Sequence, residues 1–359
     1  MTDRAVHTAS VPPDGERAHG PTAARLRRLV SRLHPGRQAG VLVGLLVISA
    51  YLTITQEAFL TWDNMMNIVA SNSVVVILAI GATFVVIAGG LDLSAAAATA
   101  AASMILGLTL NADWALPLAL LATVAFGIAV GLINGLLIAK LKISFIVVTL
   151  GTLSIWSSFA LVINQGETIS VFSSSSFGPI GDFVNNEIGP FPILLVFDVA
   201  IAALGAAVLR YTTFGRALFA VGSNPDAARL SGISIARVLV GVYVVAGIAV
   251  ALGSVVQVGR LAAGSPTQDP TLLLTVLAAV FIGGTAATGG LGGVVGTLIG
   301  VIFLGVVQNG LTLSNVSTFW QGTVSGVILI GAVGLGVLDE HQAAIRIRRS
   351  ARARQRRHL

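Results

Sequence analysis

The chain has 359 residues, 55% of them hydrophobic and 10% charged, with 41 glycines, a net charge of +6 and no cysteine, and its mean hydropathy is +0.91. So few charges cannot cover the surface of a soluble globule, so this is an integral membrane protein, and the missing thiols exclude disulfides, cysteine nucleophiles and cysteine metal sites. The histidines, His7, His19, His34, His341 and His358, all lie in the polar ends, which excludes a histidine relay, haem or histidine metal site within the membrane.

Residues 1–38 form a polar, arginine-rich tail. Apolar segments follow at 39–55, 65–88, 92–110, 114–139, 143–163, 191–209, 236–257, 271–288, 291–309 and 318–338. A spanning helix needs roughly 20 apolar residues, so the pattern predicts an all-α integral membrane protein of ten transmembrane helices. The permease-sized block 39–338 is followed by a basic tail, 339–359, and the glycine-rich stretch 283–300 is expected to hide a re-entrant or broken helix.

Charge orients the spans. With the N-terminus inside, 20 of the 21 lysines and arginines fall on the cytoplasmic side, in the two tails, at Lys140 and Lys142, and at Arg210, Arg216, Arg229 and Arg237. Arg260 alone falls outside, and this positive-inside bias predicts that both termini are cytoplasmic. The long arginine-rich preface makes the first span an uncleaved helix rather than a signal peptide. The tail IRIRRSARARQRRHL reads as an anchor beside anionic membrane lipid, not as a nucleic-acid site. The longest outer loop, 164–190, is a connector or a partner contact.

Two interruptions share a pattern. In VIAGGLDLS, an apolar run ends at Gly89 and Gly90 before Asp92 and Ser94; in FIGGTAATGG, another ends at Gly283 and Gly284 before Thr285. Paired breaks suggest a pseudo-repeat of two five-helix halves around a central path. A mid-membrane aspartate costs roughly 2.5–3.5 kcal/mol, so Asp92 either caps the third span or faces the path. Asp198 is the other intramembrane acid.

The cytoplasmic loop 210–235 contains GRALFAVGSNPDAARLSGIS, whose grammar is that of a short helix. Asn224 is an N-cap, Pro225 suits the first helical position, Asp226 complements the positive end of the dipole, and Gly232 supplies the left-handed stop. So short a helix is marginal alone, so its capping implies a partner, met through Ala227, Ala228, Leu230, Arg216 and Arg229, or a seat on the membrane surface.

At this loop the sequence resembles the permeases of ribose-type sugar importers of the ATP-binding cassette class. The family pattern G-R-x-L-x-A-x-G-x-N-x-x-A-A-R-L-S-G-I is met by Gly215, Arg216, Leu218, Ala220, Gly222, Asn224, Ala227, Ala228, Arg229, Leu230, Ser231, Gly232 and Ile233. The likeness extends over VIAGGLDLS, GLINGLLIAKLKISFIVVTLGT, IGGTAATGGLGGVVGTLIG and QNGL. It implies a bacterial inner-membrane, multi-pass permease that works as a homodimer with a cassette ATPase and a periplasmic or lipid-anchored binding protein. The cargo implied is a small sugar such as ribose or xylose. Gly215 to Gly232 would be the ATPase-coupling helix; Gly89, Gly90, Asp92, Ser94, Gly283, Gly284, Thr285 and Asn309 would belong to the translocation path. Asn72, Asn134, Trp156, Gln308, Trp320 and Gln321 are further candidates for that path or for helix packing.

The chain departs from the family pattern at Ala95, Ala96 and Ala97, at Ser144, and at Leu273, Leu274 and Thr275, which puts the cargo in question more than the machine. Neither lysine, Lys140 or Lys142, stands in a G-x-x-x-x-G-K setting, so no cofactor is expected here and ATP belongs to a partner. The rivals are an ion-gradient-driven secondary transporter, which would have to use Asp92 and Asp198, and an uncoupled channel or scaffold. No constellation for an enzyme is present in the sequence.

Overall fold

The computed structural model describes residues 35–317, 319–331 and 334; the two tails read from sequence lie largely outside them. From Arg37 on, the described residues belong to one compact unit. In chain order the helices are α1 (Pro35–Thr55), α2 (Trp62–Ile87), α3 (Ala95–Asn111), α4 (Leu116–Ala139), α5 (Phe145–Ile163), α6 (Gly178–Asn185), α7 (Ile193–Tyr211), α8 (Thr213–Ser223), α9 (Pro225–Leu230), α10 (Ile235–Leu261), α11 (Leu272–Ile282) and α12 (Val294–Leu313), with a further helix α13 (Phe319–Gly331). Six of them, α2, α4, α5, α7, α10 and α12, are long and apolar enough to cross a membrane, and shorter apolar helices occupy Gly40–Thr55, Ala95–Asn111, Leu272–Ile282 and Phe319–Gly331.

Two helices make the centre. About 61% of the apolar window of α2 and 56% of that of α10 is buried within the protein, against 22% for α5, so α2 and α10 are inner elements and α5 turns most of its surface to lipid. Small residues set the closest approach. Gly127, Gly131 and Gly135 recur every four residues along one face of α4; a Cβ on any of them would collide with the α10 backbone, at Gly247, Tyr243 and Val240 respectively. This is the small-residue packing by which membrane helices approach where no hydrophobic force drives them together.

The interrupted segments are shorter than their apolar runs. α3 begins only at Ala95, because Asp92 Oδ1 accepts hydrogen bonds from Ser94 N (2.9 Å) and Ser94 Oγ (2.6 Å), a local turn that competes with helix. α11 stops at Ile282, where Gly284 takes φ +91°, and helix resumes at Val294. The broken helix expected within 283–300 is therefore an irregular link of residues 283–293.

The expectation of purely helical structure needs a small correction. The loop 164–190 and its flank carry short strands: β1 (Ile169–Ser170) pairs antiparallel with β4 (Ala263–Gly264), and β2 (Glu187–Ile188) with β3 (Phe191–Pro192). Between them α6 buries Ile180 and Val184 beneath the end of α10, at Gly259. These short pairs carry no alternating pattern long enough to be read from sequence.

Candidate functional site

A cavity of about 550 Å³ opens between the N-terminal half of α2, the C-terminal ends of α10 and α12, and the start of α11. Its described lining holds seven amides, six hydroxyls, one arginine and one aspartate, with five aliphatic side chains and no aromatic ring. Of the path candidates, Asn72, Gln308, Asn309 and Gln321 line it. Asn134 instead donates to Ser94 Oγ (3.0 Å), Trp156 packs edge-on against Phe126, and Trp320 is an exposed side chain.

The rim is cross-braced. Asn64 and Asn309 exchange amide hydrogen bonds of 3.0 and 2.7 Å between α2 and α12, and Gln268 Nε2 donates to Gln257 Oε1 (2.6 Å). Arg260, at the end of α10, donates to Ala70 O and to Ser71 Oγ on α2. Among the described residues the one ion pair is Arg229 with Asp226, so Arg260 faces the cavity without a carboxylate partner. Arg260, Asn67, Gln257, Gln268 and Asp269 escaped the reading for the path. Their signal is faint: polar residues at the ends of apolar runs usually mark an interface with water.

The opposite ends of the same helices meet at a second locality. There Gly89 (φ +82°), Gly289 (φ +84°) and Gly290 (φ +73°) turn the two breaks back on each other, and Gly290 N donates to Ile87 O (2.8 Å). The end of α8 is pressed into this knot. A Cβ at Gly222 would overlap Ile87 O and stand 2.6 Å from Gly290 N, and one at Gly289 would stand 2.9 Å from the Cα of Gly89. Nearby, Tyr243 OH donates to Leu91 O (3.1 Å), and the Thr83 and Thr297 hydroxyls share a 2.7 Å hydrogen bond between α2 and α12. Along α2 the knot and the cavity are separated by the run from Val75 to Ile87, about 18 Å of helix.

Most of the path set read from sequence, namely Gly89, Gly90, Asp92, Ser94, Gly283, Gly284 and Thr285, lies in or beside the breaks, and Asn309 alone lies at the cavity. Gly283 faces the backbone of Gly296 on α12, and Asp92 accepts from Ser94, the residue that precedes the first turn of α3, without capping the helix itself.

The stretch that ends in the knot folds as two helices, where the capping pattern had announced one. Thr212 caps α8, its hydroxyl accepting from Gly215 N (3.0 Å), and Leu218 and Val221 are buried. Asn224 Oδ1 then accepts from Ala227 N (3.0 Å) at the start of α9. At its end Ile233 N donates to Ala228 O and Gly232 N to Arg229 O, both 3.0 Å, with Gly232 at φ +80°. That is a Schellman stop. Ala228 is buried in the main core, whereas Leu230 is 90% exposed. Beside α9, Arg216, Arg237, Phe214 and Gly232 border an open notch of about 510 Å³.

A family model described as branched-chain amino acid transport system, permease component, matches residues 64–333, which takes in both breaks, the cavity and α8–α9. The chain belongs to this permease family. It is 34% identical over 298 residues to a ribose import permease protein of Escherichia coli K12, covering 81% of this chain and 91% of that protein. It is 33% identical to the ribose import permease protein of Bacillus subtilis, covering 86% and 94%. An L-arabinose ABC transporter permease protein of Azospirillum brasilense is 31% identical, covering 89% and 92%. No solved structure matches the chain. The family is one of transport permeases rather than enzymes, and its apolar helices make this member a multi-pass membrane protein.

Proposed function

We propose that this permease forms the translocation path of an ATP-driven importer for a monosaccharide such as ribose, xylose or a related pentose or hexose. The cargo class rests on its relatives, whose names specify ribose, galactose and arabinose import. The cavity supports it chemically, since amides and hydroxyls can exchange hydrogen bonds with a hydroxyl-rich ring.

The observation that carries the mechanism is the direct seating of α8 on both breaks at Gly222. In this reading α9 docks on a separate cassette ATPase, with Leu230, Arg229 and the Arg216–Arg237 notch facing it. Closure of the cassettes displaces α8 and α9, the knot shifts, and α2 and α12 carry the movement to the cavity. Ten crossings, cytoplasmic termini and a homodimer complete the assembly, and an external binding protein delivers the sugar at the cavity end. Hydrolysis of ATP belongs to the partner chain.

A gradient-driven transporter is less well served, because the two intramembrane acids form no relay. Asp92 is bonded to Ser94 at a helix start, and Asp198 accepts from Ser73 Oγ (2.8 Å) between α7 and α2. The test is uptake of labelled ribose, galactose and arabinose into proteoliposomes holding this chain, its ATPase and its binding protein. Uptake that needs ATP and survives collapse of the proton gradient supports the importer; uptake that follows the gradient sinks it.

A further inference from the structure

The polar groups around the cavity are not equally satisfied. At the rim the amides pair with one another, and Asp269 Oδ1 accepts from Thr271 N (2.7 Å) and Thr271 Oγ1 (2.8 Å). One helical turn further into the bundle, Thr275 on α11 closes the cavity; it is 2% exposed and its hydroxyl makes no hydrogen bond. Thr285, in the broken link away from the cavity, also lacks a hydroxyl partner among the described residues, but the buried helical threonines Thr83, Thr99, Thr123, Thr149 and Thr152 return their hydroxyls to the carbonyl four residues earlier. Thr275 does not.

A second polar group of the lining is partly buried. Asn72 on α2 spends its Nδ2 on Ile68 O (2.7 Å), and no donor among the described residues reaches its carbonyl oxygen. The space around it depends on Gly305 of α12, where a Cβ would stand 2.7 Å from Asn72 Nδ2. So the inner part of the cavity offers, from different helices, a buried hydroxyl and an acceptor that no protein donor among the described residues meets. A buried polar group without a partner in one state is explained if another state supplies one. α11 ends seven residues later at the broken link, which joins it directly to the knot.

We propose that Thr275 is the first inner contact of the cargo, a specificity-determining residue whose hydroxyl bonds to a ligand hydroxyl as the floor of the cavity opens. The ligand class is a neutral polyol: the single arginine and single aspartate of the lining offset each other, and the other polar groups are uncharged. This rests on the sugar-import reading above and assigns that reading's site.

The chain has no cysteine, so Thr275→Cys places one thiol in it, and labelling can be read from the mass of this chain. The experiment uses the full importer in proteoliposomes with ribose, galactose, arabinose and leucine as probes. For whichever sugar is carried, Thr275→Val is expected to lower uptake efficiency about 2- to 10-fold, the weight of one neutral hydrogen bond. Thr275→Ser restores it, and thermal unfolding of the purified complex does not fall, because valine removes a hydroxyl that held nothing. Labelling of Thr275→Cys by a methanethiosulfonate during ATP turnover is slowed by the carried sugar and not by leucine. A sugar carried equally well by Thr275→Val, or labelling indifferent to that sugar, overturns the assignment of Thr275 while leaving the importer standing. Transport of leucine and of none of the sugars overturns the cargo reading and this inference with it.

Discussion

Gly222 and Gly232 are ten residues apart in one loop, yet they are glycines for different reasons. At Gly232 the backbone is left-handed with open space around it, so Gly232→Ala carries only the conformational penalty of about 1–2 kcal/mol. Gly222 has an ordinary backbone but is walled in by Ile87 O and Gly290 N. Gly222→Ala must push two chain segments apart, which costs about 1–3 kcal/mol in a packed interior and disturbs the seat of α8. Thermal unfolding in detergent should therefore fall for both variants, while ATP-driven uptake falls mainly for Gly222→Ala; equal transport by the two would contradict the role given to the knot. Asp92 can be separated in the same way. Asp92→Asn keeps an oxygen for Ser94 N and Ser94 Oγ and should transport and melt close to the parent protein. Asp92→Ala loses both hydrogen bonds to Ser94 and about 1–2 kcal/mol. Loss of uptake in Asp92→Asn would show that the charge, not the pair of hydrogen bonds to Ser94, is what matters.

Helix α9 has six residues, too few to persist alone in water. It is held by Asn224, the Schellman stop and the burial of Ala228, and Leu230 on its outer surface is exposed, where the proposed ATPase would dock. The ion pair of Arg229 with Asp226 joins side chains that are 69% and 87% exposed, so it adds little to stability. Arg229→Glu should accordingly leave the unfolding midpoint nearly unchanged while abolishing ATP-driven uptake; full uptake by that variant would refute docking through α9. The caps of this helix were legible in the sequence because each depends on one residue type at one position. The long apolar helices were legible from length and composition. α8 was not, since Thr213 to Ser223 read as loop between stronger signals, and the little strands and α6 of the outer loop are too short to leave a periodic trace. The cavity was legible only in part: Asn72, Gln308, Asn309 and Gln321 stand out as amides in apolar runs, but their joining with Arg260, Asp269 and Thr275 depends on five helices meeting, which no local pattern records.

At the scale of the molecule, the arrangement is a polar cavity at one end of α2, α10 and α12 and a glycine knot with a docking helix at the other. The glycines of α4 let α10 sit close enough to act as a fixed post, while the breaks at residues 88–94 and 283–293 leave the ends of α2 and α11 hinged against α8. In the proposed importer such a body would transmit force from α9 to the cavity, so that reading stands or falls on an energy-supplying partner bound at α9. The most direct measurement is mild-detergent purification of the chain from its native membranes, with co-eluting proteins identified by mass spectrometry and ATP hydrolysis assayed in the eluate. The account predicts a cassette ATPase that co-elutes and hydrolyses ATP, and that is lost when residues 224–232 are scrambled. A stable homo-oligomer with no nucleotide-binding partner, or an ATPase retained after the scramble, would contradict it.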